Sequence, residues 1–120
     1  MTLTAETQID RVRKLCLVLP GASEKLSHGE PTFFVAKRVF VMFANNHHSD
    51  GHTAIWIPAP PGAQAAMIAE APAIYFKPPY VGVKGWIGVE LPPIGDDDLA
   101  ALIHQAWKLT SPKALLRPRR

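Results

Sequence analysis

The 120-residue chain lacks several features that would place it in whole classes of proteins. It has one cysteine, Cys16, so no disulfide can form within it. Residues 1–10 have neither a basic start nor an apolar stretch and do not resemble a signal peptide. No apolar run approaches the length of a membrane span. We therefore expect a cytoplasmic protein that does not enter a membrane.

The sequence also has no glycine-rich loop of the kind that holds nucleotide phosphates. Gly82, Gly85 and Gly88 follow neither the Walker spacing nor the dinucleotide fingerprint. No nucleophile stands beside a recognisable base, and no pair of cysteines suggests a zinc site. We expect no cofactor, no metal and no catalytic residue, and an enzyme is the less favoured interpretation.

Acidic residues are missing from the last ten positions, where four cations lie: Lys113, Arg117, Arg119 and Arg120. The whole chain has 13 Lys and Arg against 10 Asp and Glu, so without this tail 9 cations face 10 acids, a net charge of −1. We predict a single domain over residues 1–110 and a basic tail over 111–120. Nucleic-acid binders usually carry basic patches in the folded domain itself, so the near-neutral body predicts modest DNA affinity.

Hydrophobic periodicity predicts helices and strands in a mixed order. A first helix, capped by Thr4, should end near Val18, and a last helix should be capped by Asp96. Residues 22–31 read as a polar connection. Strands separated by short links favour an antiparallel sheet with helices packed on one face, an α+β two-layer fold. The predicted strands cover residues 32–36, 39–43, 53–57, 73–76 and 86–91, and a short helix covers 63–71.

Several smaller expectations follow from local sequence. The Lys37-Arg38 link between the first two predicted strands has no Gly or Asn, so a tight type I′ turn would be strained there. Leu115 and Leu116 should dock one turn of the tail. Cys16 lies on the apolar stripe of the first helix, which indicates a core residue and not a reactive thiol. Trp56 and Trp107 are also interpreted as core residues.

The segment 75–91 organises the prediction of function. Its prolines and glycines indicate a fixed loop over residues 77–85 between two strands. Tyr80, Lys84 and Trp86 could form an aromatic platform with a cation, suited to a nucleobase or a phosphate. The alternative is that Trp86 begins a strand and packs in the core.

Histidines in two loops raise a second possibility. His47, His48 and His52 lie within six residues with Asp50, which fits a metal site, contacts to an organic ligand, or a solvated polar loop. His28 stands two residues before Glu30 and could act as an acid or base. Because Asp50-Gly51 disfavours a helix, the spacing of the histidines does not identify a metal site.

Several motifs in order resemble the MmcQ/YjbR-like family over residues 15–115. They are Leu17-x-Leu19-Pro20-Gly21, Glu24-Lys25-x-Ser27-His28-Gly29-x-Pro31-Thr32-Phe33-Phe34, Asn46-His47-His48-x-Asp50-Gly51, Ala59-Pro60-Pro61-Gly62-Ala63-Gln64, Pro78-Pro79-Tyr80-Val81-Gly82, Gly85-Trp86-x-Gly88-Val89, Ala106-Trp107 and Pro112-Lys113. The resemblance implies a CyaY-like α+β fold with a double-wing surface for which DNA binding has been proposed. It brings no catalytic residues.

Three hypotheses stay open at this point. The first is a DNA-binding module in which the hairpins act as wings and Lys37, Arg38, Lys77 and Lys84 reach phosphates of double-stranded DNA. The second is a site for an unidentified small molecule or a metal, formed by six loop residues: His28, His47, His48, Asp50, Tyr80 and Trp86. The third is a protein-interaction domain, such as a homodimer formed through an apolar patch at residues 78–80. The oligomeric state is left open.

Overall fold

The computed structural model describes residues 5–116, which form a six-stranded antiparallel sheet and a layer of helices. The fold is α+β with two layers, as predicted. The helices are α1 (Ala5–Leu17), α2 (Ala63–Glu70), α3 (Asp96–Thr110) and α4 (Lys113–Leu116). The strands are β1 (Ala22–Ser27), β2 (Glu30–Val35), β3 (Arg38–Asn45), β4 (Thr53–Ile57), β5 (Tyr75–Phe76) and β6 (Ile87–Glu90).

The strands lie in the order β1-β2-β3-β4-β6-β5, and every neighbouring pair is antiparallel. Side chains alternate between the two faces along each strand. One face carries large apolar residues that are fully buried, among them Phe33, Ile55 and Val89. Helices α1 and α3 pack against this face through Val12, Cys16, Leu99, Ile103 and Trp107. Among residues 5–116, α1 and α3 leave the opposite face uncovered.

Polar contacts from the helices fix the chain around the core. Arg11 of α1 donates from Nη1 to the carbonyl oxygen of Leu91 at 2.8 Å and pairs with Asp96 at the start of α3. Trp107 is buried and donates from Nε1 to the carbonyl oxygen of Pro20 at 2.8 Å. These contacts hold the segment 91–96 and the turn at Pro20 against the two helices.

The prediction for residues 22–31 is wrong, because they hold β1 and the start of β2. Strand β1 is an edge strand with polar residues on both faces, so it has no apolar alternation. Its pairing and an ion pair from Glu24 to Arg13 of α1 hold it instead. The other strand predictions match observed strands within two residues at every end, and β4 matches at both ends.

Two predicted helix caps have different outcomes. Asp96 is the first residue of α3 and not its N-cap. Gly95 holds the N-cap position and, having no side chain, provides no capping hydrogen bond. Thr4 lies outside the described residues. The single turn predicted near the C-terminus is present as α4; Leu115 packs against the core as predicted, but Leu116 is exposed. The division into a domain over 1–110 and a tail over 111–120 stays a prediction.

The β2–β3 hairpin turns at Ala36 and Lys37, one residue earlier than predicted. Both have positive φ, 49° and 67°, as a type I′ turn requires. The strain expected from a turn without Gly or Asn is therefore present, and the paired strands hold it in place.

None of the helices between residues 5 and 116 combines the length and apolarity needed to cross a membrane.

Candidate functional site

The sheet face that α1 and α3 leave uncovered carries a continuous row of side chains across all six strands. Residues directly opposite each other in adjacent strands point to the same face. Strand register therefore aligns Lys25, Thr32, Met42, Trp56, Gly88 and Phe76. Because α1 and α3 pack on the other face, the loops at the two ends of the sheet can fold over this row.

A cavity of about 540 Å³ lies on this face, and we call it the sheet cavity. Strand residues form its floor, and loop residues from both ends of the sheet form its walls. Its lining consists of Ser27, His28, Glu30, Thr32, Met42, Phe43, Ala44, His47, Trp56, Tyr80 and Val81. The volume lies within the range typical of small-molecule sites.

Two loops at one end of the sheet bring histidines to the cavity. His28 occupies the two-residue turn between β1 and β2, with φ of 52°. His47 begins a 3₁₀ turn that follows the left-handed Asn46. The Asn46 side chain accepts a hydrogen bond from the Gly51 amide at 2.9 Å and so closes the loop.

The third wall comes from the β5–β6 loop, residues 77–86, which enters from the opposite end of the sheet. Gln64 of α2 holds this loop by donating from Nε2 to the carbonyl oxygens of Gly82 (2.8 Å) and Trp86 (2.6 Å). Tyr80 has a positive φ of 62°, which is rare for a residue with a side chain, and 67% of the residue is exposed. The segment is an ordered loop, as its prolines and glycines predict.

Three rings meet where these elements converge. His47 packs edge-on against Trp56 (centroids 5.1 Å apart) and against Tyr80 (5.8 Å). Trp56 is 6% exposed, and its Nε1 is buried with no hydrogen-bond acceptor among the described residues. An unpaired buried donor costs about 1–3 kcal/mol, and a buried Trp N–H usually has a partner. This orphan donor is the most unusual polar group of the cavity.

The acceptors of the cavity are Glu30 and Thr32. Glu30 Oε2 accepts from the Asn45 amide at 2.8 Å, which fixes the carboxylate, and Oε1 has no donor in the described part of the chain. The Thr32 hydroxyl donates to the Glu30 carbonyl at 3.0 Å, so its oxygen lone pairs remain available. The site therefore offers one buried N–H donor, acceptor oxygens and aromatic rings.

Beside the sheet cavity, Phe76 covers the row at Gly88. A Cβ at Gly88 would stand 2.4 Å from the Phe76 ring, so only glycine permits this close approach. His52 stacks on the Phe76 ring, with centroids 4.1 Å apart and planes within 7°, and also pairs with Glu90. Phe76 and His52 therefore cover the sheet face next to the β5 edge.

The cations predicted to bind nucleic acid collect at one end of the sheet, which we call the basic end. Lys37 and Arg38 lie at the β2–β3 turn, and Lys77 and Lys84 lie in the β5–β6 loop. Antiparallel pairing places both connections, with the segment after β4, at the same end. All four side chains are exposed, and among residues 5–116 none of them forms an ion pair.

The structure brings together some of the residues proposed as ligand contacts and separates others. His28, His47 and Tyr80 all line the sheet cavity. Asp50 does not; it accepts a hydrogen bond from the His52 amide at 2.9 Å within its own loop. Trp86 is also absent from the lining and is half-buried beside β6. The side chain of His48 lies outside the described part of the molecule.

Sequence reasoning missed eight residues of the cavity lining, among them Glu30, Thr32, Met42 and Trp56. Trp56 was predicted to be a core residue, and it is buried, but it also lines the cavity. Alternation along the strands could have predicted these positions, because residues 30 and 32 share one face of the sheet, as do residues 42 and 44. For a metal, no group of three or more His, Cys, Asp or Glu side chains is assembled within the described ranges.

Two titratable groups elsewhere have shifted pKa values. Burial raises the pKa of the Cys16 thiol, with a smaller contribution from Glu24, and the buried side chain confirms the predicted core position. The hydrogen bond and charge of Arg13 lower the pKa of Glu24, although partial burial opposes them. The Arg13 guanidinium contacts both Glu24 oxygens, at 2.7 and 2.8 Å. Both groups have structural roles.

A second groove, of about 720 Å³, lies between α1 and the segment before α3. Its central cation, Arg11, is already engaged by Gln8, by Asp96 and by the carbonyl oxygens of Leu91 and Ile94. The groove therefore joins structural elements and offers little free polar capacity to a ligand.

Comparisons with known proteins agree with the fold. The family model described as YjbR matches residues 17–109. Among solved structures, the chain is similar to Deinococcus radiodurans protein DR2400, which contains a domain of the family DUF419, with 18% identity and a TM-score of 0.71. The match covers 84% of this chain and 76% of that one. Likeness at this identity shows the fold alone. No curated protein matches the chain at a significant level.

Proposed function

Because the chain belongs to the YjbR family, we propose that it binds double-stranded DNA and that the basic end of the sheet is its contact surface. The supporting observation is the gathering of Lys37, Arg38, Lys77 and Lys84 at that end. The connecting segments there, 36–38, 58–62 and 77–86, contain no Asp or Glu. An anionic polymer would therefore meet exposed cations without nearby carboxylates.

The spacing of the two cation-bearing connections also suits a duplex. The β2–β3 turn and the β5–β6 loop are separated by three inter-strand steps in the sheet order. At about 4.8 Å per step they lie about 14 Å apart, which is similar to the roughly 12 Å width of the major groove. In this proposal, the two connections are the double wing, and each reaches phosphates on one side of a groove.

Other cations are less suited to the role. Arg11 and Arg13 are already paired with carboxylates. Lys14 and Lys108 lie on the helices, away from the basic end. Because the proposed surface holds four cations and the chain carries a net charge of only +3, we expect modest affinity that depends strongly on salt.

The test is fluorescence anisotropy with a labelled random duplex at low salt. The double variant Lys37→Gln/Lys84→Gln removes one cation from each wing, and we expect it to weaken binding about tenfold or more. The control is Lys14→Gln/Lys108→Gln, which changes the net charge equally on the helical layer and should weaken binding far less. Equal losses in the two variants would mean that only net charge matters.

The basic tail needs its own control. Replacing Arg117, Arg119 and Arg120 by Gln removes its last three cations but keeps Leu115, which packs on the core. If the wing proposal holds, this variant binds more weakly but keeps its sensitivity to the Lys37 and Lys84 substitutions. Complete loss of binding in the tail variant would assign the activity to the tail.

Two further parts of the proposal stand on the sequence. We propose a cytoplasmic location and no catalytic activity. A small-ligand role for the sheet cavity is a separate proposal, because it uses the uncovered sheet face and not the cations of the basic end. A homodimer formed through residues 78–80 is less supported, because Pro78 is buried while Pro79 and Tyr80 are exposed.

A further inference from the structure

We propose that the sheet cavity binds a planar heterocycle that bears an exocyclic amino group, as cytosine and adenine do. The proposal stands independently of duplex binding, because it needs neither the four cations of the basic end nor a phosphate, although Tyr80 lies in the same β5–β6 loop as Lys77 and Lys84. It rests on three features of the cavity: an unpaired buried donor, fixed acceptors and exposed aromatic surface.

The donor is the indole N–H of Trp56. The residue is 6% exposed and lies in the cavity floor, and its Nε1 has no acceptor among residues 5–116. An acceptor atom on the edge of a ligand, such as a ring nitrogen or a carbonyl oxygen, would satisfy it once the indole ring turns this N–H toward the cavity, because the atom has less than 1 Å² of accessible surface. The ring of His47 packs edge-on against Trp56, with centroids 5.1 Å apart, and lines the same cavity.

The acceptors are Glu30 and Thr32, which line the same cavity. Glu30 is held by the Asn45 amide through one oxygen, so its second oxygen can accept from a ligand amino group. A carboxylate accepts readily from the amino group of cytosine and repels a carbonyl oxygen in the same place. This contrast predicts that the cavity distinguishes cytosine from uracil, whose rings differ there by an amino group and a carbonyl.

Stacking surface is provided by Tyr80. It is 67% exposed although its ring packs edge-on against His47, and its backbone is held at positive φ in a loop anchored by Gln64. Strained backbone that is held by its surroundings is concentrated at ligand sites. An exposed aromatic ring at the mouth of a cavity is a platform for a base.

The direct test uses the full chain labelled with ¹⁵N and titrated with cytidine. The three Trp indole N–H resonances report separately, and Trp56→Phe assigns the one from the cavity. We expect the Trp56 resonance to move downfield as it gains an acceptor. The Trp107 resonance should not move, because its N–H is already bonded to Pro20.

Matched ligands and variants sharpen the result. We expect cytidine to bind about tenfold more tightly than uridine, the size of effect that one specific base-edge contact produces. Tyr80→Ala should weaken cytidine binding about tenfold. Val83→Ala is the control, because Val83 belongs to the same loop, is 81% exposed and does not line the cavity.

Two sources of such a base are distinguished by comparing cytidine with a single-stranded oligonucleotide of cytosines. If the oligonucleotide binds more tightly and Lys77→Gln or added salt removes the gain, the ligand is an unpaired base of a nucleic acid. Equal affinities assign the site to a free nucleoside. The proposal is overturned if neither probe moves the Trp56 resonance, or if uridine moves it as strongly as cytidine. Lys37→Gln/Lys84→Gln should leave the cytidine shift unchanged, so this result is separable from duplex binding.

Discussion

For the substitution Gly88→Ala, strand propensity and side-chain packing predict opposite changes in the stability of the protein. Gly88 lies inside β6, where replacing glycine by alanine normally stabilises a protein by about 0.5–1 kcal/mol. In this structure, however, a Cβ would stand 2.4–2.7 Å from three atoms of the Phe76 ring. Contacts below 3 Å force one group to move, and Phe76 is confined by its stack on His52.

We therefore predict that Gly88→Ala destabilises the protein. Overpacking costs about 1–3 kcal/mol, and displacing Phe76 also removes an aromatic stack worth about 0.5–1.5 kcal/mol. After the gain from removing glycine, a loss of about 2 kcal/mol remains, or about 8 °C in Tm at roughly 4 °C per kcal/mol. Thermal and urea unfolding followed by circular dichroism measure it.

The double variant Phe76→Ala/Gly88→Ala isolates the cause. In the Phe76→Ala background the added methyl group meets no ring, so Gly88→Ala should be neutral or stabilise by up to about 1 kcal/mol. The reasoning is refuted if Gly88→Ala stabilises the protein with Phe76 present, because the ring could not then lie over Gly88.

Three other predictions concern groups outside the sheet cavity. Cys16 should not react with iodoacetamide in the native protein at neutral pH, because burial raises its pKa; mass spectrometry should detect alkylation only in denaturant. The Glu24 pKa is lowered in the folded state, so the stabilisation by Arg13 is present above the unfolded pKa and is lost as the pH falls through the folded pKa. Between about pH 5 and about pH 3, the Tm of Glu24→Gln should therefore fall less than the Tm of the wild type. Gln64→Ala should lower the free energy of unfolding by about 1–2 kcal/mol and raise the rate of amide hydrogen exchange in residues 77–86. The control Gln105→Ala, at an exposed position, should change neither quantity. Unaltered exchange in Gln64→Ala would show that Gln64 does not hold the loop.

Sequence patterns predicted the helices and strands correctly where one face of the element is buried and the other is exposed. Strand β4 was correct at both ends because its β-branched and aromatic residues lie between clear turn signals. Strand β1 was missed because an edge strand can be polar on both faces when pairing and one ion pair hold it. The early turn at Ala36 could not be predicted, since only the paired strands explain two left-handed residues without glycine.

The candidate site was predicted less completely than the fold. His28, His47 and Tyr80 were found because unusual side chains in loops are visible in a sequence. Trp56 was assigned to the core because burial and a role in a cavity give the same local pattern, a large aromatic residue in a strand. Only the register across six strands shows that its row is left uncovered by the helices.

The most direct test of the central proposal is the salt dependence of duplex binding. Anisotropy titrations of the wild type and of Lys37→Gln/Lys84→Gln should be run between low and physiological salt, both with the tail arginines replaced by Gln. If the basic end holds the phosphates, log affinity falls linearly with log salt, and the double variant has a slope shallower by about 2. Identical slopes for the two proteins, or binding that salt does not weaken, would contradict the proposal that the wings contact DNA.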